Sequence, residues 1–482
     1  MAVSAIKFLF AKLQRVHFVG IGGIGMSGIA EVLLNLGYKI SGSDLKSSLV
    51  TDRLATLGAT IFEGHRAENV MGADVVVTSS AVRPDNPEVQ EARHQHIPVI
   101  QRAEMLAELM RLKYGIAVAG MHGKTTTTSM VAAVLAAGGL DPTVVVGGRV
   151  DAMGSNARLG KSHYLVAEAD ESDRSFLKLS PILAVVTNID REHMDCYRDM
   201  ADVERAFVEF MDRVPFYGMT VACNDNDRLR ALLPQLRRRV VTYGAREGSD
   251  FHLSGPETLA ADGHGRPTSR FRIEYRGQSL GDFHLHVPGR HNILNATAAI
   301  AVGVGLDVAP DAIRSALAEF RGVDRRFQLR GCAGEISVID DYGHHPTEIR
   351  ATLAAARQCG YGRVHVVFQP HRYTRTQDLA DQFAASFADA DSLFVLDIYA
   401  ASEPPIAGVT GERLAQHIAE TGMRQATYAA SFADAIEQVT AAAQPGDMIL
   451  TLGAGSVSQL GPQILERLET RQAREVGAAK SS

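Results

Sequence analysis

The sequence predicts an α/β protein of three domains, because runs typical of buried strands alternate with helical stretches along three successive segments. A chain of 482 residues is also too long for one ordinary hydrophobic core. Two of the strand-to-helix junctions are rich in glycine, as is typical of nucleotide-binding sheets. We therefore expect mostly parallel sheets with nucleotide sites at their edges.

The first segment, residues 1–111, predicts a Rossmann-like domain with strands at 16–19, 39–41 and 75–78 and a helix over 26–36. After the first strand, Gly20, Gly22 and Gly25 have the spacing G-x-G-x-x-G, and Asp44 follows. This pattern brings a pyrophosphate close to a helix N-terminus, with an acid near a ribose. It fits NAD, but UDP also has a pyrophosphate and a ribose. An ATP site in the next domain favours a nucleotide substrate here.

The second segment, residues 112–326, predicts a P-loop-type ATPase domain. A strand at 115–119 runs into Gly120 and a glycine-rich loop, and a helix begins at Lys124. Free N–H groups at a helix N-terminus and the helix dipole favour phosphate. Lys124 supplies a positive charge for ATP, and Thr125 a hydroxyl for Mg²⁺. The Walker A spacing would need glycine at Val118, so this loop is a shortened version.

Polar clusters follow two more predicted strands of this domain, at 164–167 and 182–187. The first cluster begins at Glu168 and has four carboxylates in six residues, and the second contains His193. Both should face the phosphate loop, since ligands lie beyond the carboxyl ends of parallel strands. Oxygen ligands suit Mg²⁺, and one histidine is acceptable. A solvated acidic turn and a structural histidine stay open. Alternating residues over 251–286 predict a small antiparallel patch.

The third segment, residues 327–482, predicts a C-terminal Rossmann-like domain with strands at 337–339, 364–368, 393–395 and 448–452. A net charge of −6 gives no reason to expect a nucleic-acid partner. No apolar run reaches the ~20 residues that span a bilayer. The four cysteines are widely spaced without a CxxC pair, which favours a reducing cytoplasm. We expect a cytoplasmic protein without membrane contact.

Seven motifs in order resemble the Mur ligases of peptidoglycan synthesis, over nearly the whole chain. The motifs are GIGGIGMSG at 20–28, GMHGKTT at 120–126, EADESD at 168–173, GRHNILN at 289–295, GVDRRF at 322–327, DDYGHHP at 340–346 and PHRYTR at 370–375. The stretch from Met194 to Thr220 has no lysine, whereas several relatives have a carbamylated lysine there. This departure favours the alanine-adding branch. A second departure is Ser402, where the resemblance leads us to expect glycine.

The resemblance implies an ATP- and Mg²⁺-dependent ligase that joins L-alanine to the muramoyl carboxylate of UDP-N-acetylmuramate through an acyl phosphate. Three alternatives stay open: a ligase that joins a whole tripeptide to the same sugar nucleotide, an NAD-dependent oxidoreductase, and a nucleotide-switch protein. The oligomeric state is expected to be monomer or homodimer. The identity of the base that deprotonates the alanine ammonium stays open, with His193 and His344 as candidates.

The resemblance also implies roles for individual residues. The UDP-sugar is expected to contact Gly22, Gly23, Ile24, Gly25, Ser43, Asp44, His65, Ser79 and Ser80. ATP is expected to contact Gly120, Met121, His122, Gly123, Lys124, Thr125, Thr126, His291, Asn292, Asn295, Arg326 and Asp341. Alanine is expected to contact His344, His371, Arg372 and Arg375, and the metal ions Thr125, Glu168 and His193. The expected catalytic groups are Lys124, Glu168, His193, Arg326 and His344.

Overall fold

A computed structural model describes residues 15–79, 81–150, 155–259, 268–421 and 425–479. These described residues form three sheets, of five, ten and six strands, each with its own helices. By compactness the chain divides into two units. One consists of residues 1–253, 273–280 and 294–317, and the other of residues 254–272, 281–293 and 318–482. The α/β class and the three-domain organisation predicted from the sequence are confirmed.

The first sheet is entirely parallel, with the order β3-β2-β1-β4-β5. Its strands are β1 Arg15–Val19, β2 Lys39–Asp44, β3 Thr60–Glu63, β4 Val75–Thr78 and β5 Val99–Gln101. Its helices are α1 Ile24–Asn35, α2 Leu49–Thr56, α3 Pro87–His94 and α4 Arg102–Arg111. Four of the five residues of the central strand β1 are buried, as expected for a strand covered on both faces. Its carboxyl end and that of β2 therefore meet at one edge, where the first glycine loop lies.

The second sheet has ten strands, with the order β15-β14-β13-β12-β11-β10-β6-β9-β7-β8. The strands are β6 Tyr114–Ala119, β7 Thr143–Val150, β8 Ser155–Arg158, β9 Tyr164–Glu168, β10 Leu183–Val186, β11 Met219–Cys223, β12 Val240–Gly244, β13 Phe251–Leu259, β14 Thr268–Tyr275 and β15 Gln278–Leu285. The helices are α5 Lys124–Ala137, α6 Met200–Asp212, α7 Asp227–Leu232, α8 Arg290–Gly305 and α9 Pro310–Glu319. Strand β6 pairs in parallel with β9 and β10, so their carboxyl ends share one edge.

Two features of this sheet follow from local sequence. The predicted antiparallel patch contains β14 and β15, which are joined by the two-residue turn Arg276-Gly277. Both turn residues have positive φ, of 50° and 78°, as the tight turns of antiparallel hairpins require. Helix α6 begins at the cap Asp199, whose side chain accepts from the Asp202 N–H group.

The third sheet has six strands, with the order β16-β17-β21-β18-β19-β20. The strands are β16 Gln328–Ala333, β17 Ile336–Asp341, β18 Val364–Phe368, β19 Ser392–Val395, β20 Ala426–Tyr428 and β21 Met448–Leu452. The helices are α10 Pro346–Gln358, α11 Tyr373–Asp378, α12 Ala380–Ala384, α13 Gly411–Thr421, α14 Phe432–Ala442 and α15 Leu460–Ala479. All pairs are parallel except β16 with β17, which makes the sheet mixed. Apolar clusters pack on it, one around Phe368 and Leu450, the other around Val367 and Ile449.

Short 3₁₀ helices complete the described chain, at Ala67–Val70, Ser175–Lys178, Leu233–Gln235 and Ser456–Gln459. The predicted domain boundaries at 111 and 326 stay predictions. In the structure, α4 ends at Arg111 and β6 begins at Tyr114, while β16 begins at Gln328. Among the helices that the structure describes, none is long and apolar enough to cross a membrane.

Candidate active site

The phosphate loop joins the buried strand β6 to helix α5 and depends on two glycines. Gly120 has a φ of 131° and Gly123 a φ of 84°, which L side chains rarely adopt. A Cβ atom on Gly120 would also lie 2.1 Å from Thr187 Oγ1, and one on Gly123 would lie 2.7 Å from Asn295 Oδ1. The loop therefore packs too closely against its neighbours to admit a side chain at either position. Of the residues expected near adenine, Asn295 lies beside this loop.

The residues after β10 hold the phosphate loop in shape. The His122 N–H group donates to Asn188 Oδ1 at 2.9 Å, and the Asn188 amide donates to the His122 carbonyl at 2.9 Å. The Thr187 hydroxyl donates to the same carbonyl at 2.7 Å. These bonds fix the loop backbone before any ligand binds.

Lys124, the first residue of α5, forms an ion pair at the centre of the site. Its Nζ lies 2.6 Å from Glu171 Oε1 and also donates to the Gly120 carbonyl at 2.7 Å. Burial opposes the charge on Lys124, but Glu171 outweighs it and raises the pKa of the ammonium above its usual range. Burial raises the pKa of Glu171 to about 7. The site thus holds a buried ammonium group, paired with a carboxylate, at the mouth of the phosphate loop.

Acidic groups and a histidine surround this ion pair, as the sequence predicts. His193 adopts a φ of 58°, and its Nε2 lies 3.6 Å from Glu171 Oε1 and 3.9 Å from Glu192 Oε2. Glu168, at the end of β9, lines a cavity of about 140 Å³ together with Lys124. Glu171 is fully buried, and its Oε2 atom has no hydrogen-bond partner. An orphaned carboxylate oxygen beside other oxygen donors and one imidazole fits a Mg²⁺ ion.

The first glycine loop lies against the end of β2. The N–H groups of Gly20 and Ile21 donate to the Ser43 carbonyl, at 2.8 and 2.9 Å. The Gly22 N–H group donates to Asp44 Oδ2 at 2.8 Å. A Cβ atom on Gly22 would lie 2.8 Å from the same oxygen, so this position has no room for a side chain. Asp44 thereby fixes the loop over the sheet edge.

A cavity of about 990 Å³ opens beneath this loop. Among the residues expected to bind the UDP-sugar, those lining the cavity are Gly22, Gly23, Gly25, Asp44, His65 and Ser79. Ile24 begins helix α1, and its side chain lies outside the described part of the structure. Ser80 lies outside the described residues.

Ser43 does not line this cavity. It is fully buried and donates to Glu88 Oε2 at 2.6 Å, while its Oγ atom lies 2.9 Å from His65 Nδ1. Burial would raise the pKa of Glu88, but the neighbouring His17, with hydrogen bonds from Ser43 and Asn69, lowers it to about 2. The buried Ser43 therefore holds His65 in place. A direct contact between Ser43 and a ligand stays a prediction.

In the other unit, Arg326 lies just before β16, and Asp341 is the last residue of β17. Arg326 Nη1 is 3.7 Å from Glu348 Oε1, and the guanidinium lies 5.0 Å from the centre of the Tyr342 ring. Both Asp341 oxygens accept backbone N–H groups at 2.8 Å, from Phe327 and Gly343. Burial raises the pKa of Asp341. Asp341 thus joins the backbone before β16 to the backbone after β17, and its contact with ATP stays a prediction.

The predicted adenine neighbours His291 and Asn292 belong to the same unit. Burial, together with the charge of Arg326, lowers the pKa of His291 to about 4. The Asn292 amide donates to the Pro288 carbonyl at 2.7 Å. His291 is therefore neutral at physiological pH.

The structure brings together the four residues predicted to contact alanine. The rings of His344 and His371 lie 5.5 Å apart, and the His371 ring stacks on Tyr399 at the same distance. Arg375 Nη1 donates to His371 Nδ1 at 3.2 Å. Burial, then the charges of His344 and Arg375, lower the pKa of His371 to about 3. Arg372 Nη1 lies 3.9 Å from Glu403 Oε1, so this cluster joins the two histidine rings to two guanidinium groups.

Ser402 occupies the position where glycine is expected, and its backbone explains that expectation. Its φ is 70°, and that of the preceding Ala401 is 48°. Both residues therefore lie in the left-handed region that favours glycine. The next residue, Glu403, is held in place because its carboxylate accepts hydrogen bonds from the Thr374 N–H and hydroxyl groups.

Three residues of these sites were missed at the sequence level. Glu171 is part of the predicted acidic cluster, but nothing in the sequence distinguishes it from Glu168 as the partner of Lys124. Arg325 donates to Asp340 at 3.2 Å and to the Gly453 carbonyl at 2.6 Å, which ties the GVDRRF motif to the C-terminal glycine turn. Arg102 lines both cavities and donates to Asp170, 68 residues further along the chain, although it belongs to none of the motifs.

The fold and the site define an α/β protein with two glycine-rich strand-to-helix loops, one of them a phosphate loop. The chain belongs to the Mur ligase family. Residues 15–114 match the model described as Mur ligase family, catalytic domain. Residues 118–303 match the Mur ligase middle domain, and residues 325–455 match the model described as Mur ligase, glutamate ligase domain.

Individual relatives support the assignment. The chain is 74% identical over 464 residues to the UDP-N-acetylmuramate–L-alanine ligase of Koribacter versatilis, covering 96% of this chain and 99% of that protein. It is 66% identical over 467 residues to the enzyme of the same name from Acidobacterium capsulatum, again covering 96% and 99%. The solved structure of UDP-N-acetylmuramate-alanine ligase from Thermotoga maritima has a TM-score of 0.78 and 31% identity, covering 95% of this chain and 99% of that one.

Proposed function

We propose that the chain joins L-alanine to the muramoyl carboxylate of UDP-N-acetylmuramate, converting ATP to ADP and phosphate. It is an ATP-dependent carbon–nitrogen ligase of peptidoglycan synthesis. The observation that supports this most directly is the pair of cavities in the first unit. A nucleotide-sized cavity of about 990 Å³ shares a wall with a smaller one at the phosphate loop. A sugar nucleotide and the phosphates of ATP can therefore occupy adjacent spaces.

The reaction begins with two anions, because a carboxylate attacks the γ-phosphate of ATP. Lys124 places a fixed positive charge at the phosphate loop, and the N-terminus of α5 adds its dipole. Charge that spreads over the transferring phosphoryl oxygens is stabilised by such groups. The product of this step is an acyl phosphate, whose carbon is then open to attack by the amine of alanine. Arg326 contributes a further positive charge, a role that rests on the family resemblance.

Thr125, Glu168 and His193 would hold Mg²⁺, with Glu171 as a further ligand. A bound Mg²⁺ neutralises phosphate charge and orients the phosphate oxygens. The buried Glu171 oxygen without a partner and the nearby imidazole of His193 support this assignment. Metal removal with a chelator is expected to abolish phosphate release, and Mg²⁺ to restore it.

The amino acid is bound by His344, His371, Arg372 and Arg375. Guanidinium groups form two parallel hydrogen bonds with a carboxylate, which suits the carboxylate of alanine. Because its pKa is lowered, the His371 ring is neutral at physiological pH. The alanine ammonium must lose a proton before attack, and His193 or His344 accepts it. The tripeptide-adding ligase is the alternative acceptor class for the same sugar nucleotide.

The decisive experiment measures phosphate release and the mass of the product from UDP-N-acetylmuramate and ATP. The acceptors are alanine, glycine, serine and a tripeptide, and the Lys124→Met variant serves as the inactive enzyme. We expect rapid ligation of alanine by the wild-type chain. Faster turnover with the tripeptide would reassign the acceptor, and equal rates in the Lys124→Met variant would contradict the whole scheme.

Two properties of the proposed enzyme are separate from its chemistry. Its substrates are products of cytoplasmic metabolism, so we assign the reaction to the cytoplasm. Light scattering of the purified chain distinguishes the proposed monomer from the homodimer.

A further inference from the structure

The two cavities of the first unit meet at a short common wall. Four residues line both of them: Gly25, Arg102, Ala103 and Ser175. Of these four, Arg102 alone has a charged side chain. The phosphate loop lies on one side of this wall and the first glycine loop on the other. A ligand that extends from the large cavity toward ATP must pass Arg102.

The orientation of Arg102 is fixed from both sides of the wall. Its Nη2 donates to Asp170 Oδ2 at 2.8 Å. Asp170 is held by Ser172, whose N–H and hydroxyl groups donate to Oδ1 at 3.1 and 2.7 Å. On the other side, a Cβ atom on Gly25 would lie 2.1 Å from Arg102 Nη1. The third glycine of the first loop thus makes room for the guanidinium, which is in place before a ligand binds.

We propose that Arg102 binds the acceptor carboxylate of the sugar nucleotide and directs it toward the phosphate loop. This inference rests on the proposed function. A guanidinium has five N–H groups, and within the described residues Asp170 is the hydrogen-bond partner found for this one. Its planar fork fits a carboxylate through two parallel bonds. Holding the carboxylate close to the γ-phosphate of ATP replaces the collision of two separate anions with a reaction between groups that are already positioned.

The bond to Asp170, rather than position alone, directs Arg102 toward the carboxylate of the ligand. The diphosphate is expected at the N-terminus of α1, inside the large cavity, and Arg102 Nη1 lies close to that terminus at Gly25. Asp170 lies on the wall of the small cavity and draws the guanidinium toward that side. The group that must reach the small cavity is the carboxylate that is phosphorylated. Arg102 therefore lies where the carboxylate passes.

Binding of two sugar nucleotides to the full chain tests the inference without turnover. UDP-N-acetylmuramate has the carboxylate, and UDP-N-acetylglucosamine lacks it. In the Arg102→Met variant, we expect the affinity for the first, measured by titration calorimetry, to fall about 10- to 100-fold. The affinity for the second should change less than about twofold. An equal loss for both ligands, or no loss for either, overturns the proposal.

Three further variants separate binding from folding. Arg102→Lys keeps the charge but loses the fork, so we expect an intermediate loss confined to UDP-N-acetylmuramate. Asp170→Asn removes the charge that orients the guanidinium. We expect a smaller loss of affinity, again confined to UDP-N-acetylmuramate. Arg111→Met, at the exposed end of the same helix, is the matched control and should bind both ligands as the wild type does. If wild-type chain fails to bind UDP-N-acetylmuramate, the proposed function fails rather than the role of Arg102.

Discussion

The two glycine-rich loops of the first unit have the same local design but different chemistry. Each follows a buried central strand, β1 or β6, and each leads into a helix whose cap is glycine without a side-chain hydrogen bond. The loop at Gly22 is fixed by a carboxylate, Asp44, whereas the loop at Gly120 encloses an ammonium, Lys124. One loop is anchored by an anion and the other by a cation.

The difference matches what each loop has to do. The phosphate loop must stabilise charge that changes during the reaction, so a cation lies inside it. The first loop only has to bind, and an acceptor such as Asp44 can both hold the backbone and contact a hydroxyl group of the ligand. The positive charge around its cavity comes from side chains outside the loop, Lys46, Arg83 and Arg102. Changes at the two loops should therefore affect different kinetic constants.

The largest effect is expected at Lys124. Replacing it with methionine removes the charge nearest the transferring phosphate, and we expect kcat to fall about 10³-fold. The affinity for UDP-N-acetylmuramate should stay unchanged, because that ligand is proposed to bind at the other loop. Steady-state kinetics and calorimetry measure the two quantities. The exposed Lys161→Met variant is the control, and a parallel loss of sugar-nucleotide affinity in Lys124→Met would break the comparison.

A smaller effect of the opposite kind is expected at Asp44. The Asp44→Ala variant loses the bond to the Gly22 N–H group and the contact with the ligand, so KM for the sugar nucleotide should rise about 30-fold. We expect kcat and KM for ATP to change little. Asp44→Asn keeps an acceptor for the Gly22 N–H group, so its KM for the sugar nucleotide should lie between those of the wild type and Asp44→Ala. Asp52→Ala, on the exposed side of α2, is the control. A fall in kcat that exceeds the rise in KM would contradict the division of labour.

Local sequence was sufficient to predict the loops and the strands that hold them. The helix of the phosphate loop was predicted to begin at Lys124, and it does. Two edge strands of the first sheet, Thr60–Glu63 and Val99–Gln101, were not found, because they are short and partly exposed and have no continuous apolar run.

The motifs could not predict which way a side chain points, or which residues distant in sequence come into contact. Ser43 and Asp44 are neighbours in β2, and successive residues of a strand point to opposite faces. Asp44 therefore faces the cavity, and Ser43 is buried against Glu88. Arg102 depends on Gly25 and Asp170, which are distant in sequence, and no local pattern predicts that these three meet.

The glycines of the two loops should differ in their tolerance of a side chain. Gly120→Ala introduces a Cβ atom at a φ of 131° and against Thr187, so we expect a loss of about 2 kcal/mol in folding stability. Gly23 has an ordinary φ of −61°, and Gly23→Ala should cost less than about 1 kcal/mol. Thermal unfolding of the ligand-free variants measures both. Gly58→Ala, with positive φ but open space around it, isolates the backbone contribution. Equal losses at Gly120 and Gly23 would show that backbone conformation does not distinguish the loops.

The smallest expected effect concerns the buried support of the first loop, at Glu88. Its pKa is lowered to about 2 in the folded chain, against 4.5 when unperturbed. An acid with a lowered pKa stabilises the fold above its unfolded pKa and loses this contribution as the pH falls through the folded value.

Between pH 7 and pH 4, this group alone should therefore remove about 1 kcal/mol of stability from the wild-type chain. In Glu88→Gln that component is missing, because glutamine does not titrate, and the stability curve should be flatter over this range. Urea unfolding at several pH values measures the difference between the curves. The exposed Glu63→Gln variant should follow the wild type. Parallel curves for Glu88→Gln and the wild type would mean that Glu88 is not held as an anion, and that the first loop rests on a neutral network rather than on a buried charge.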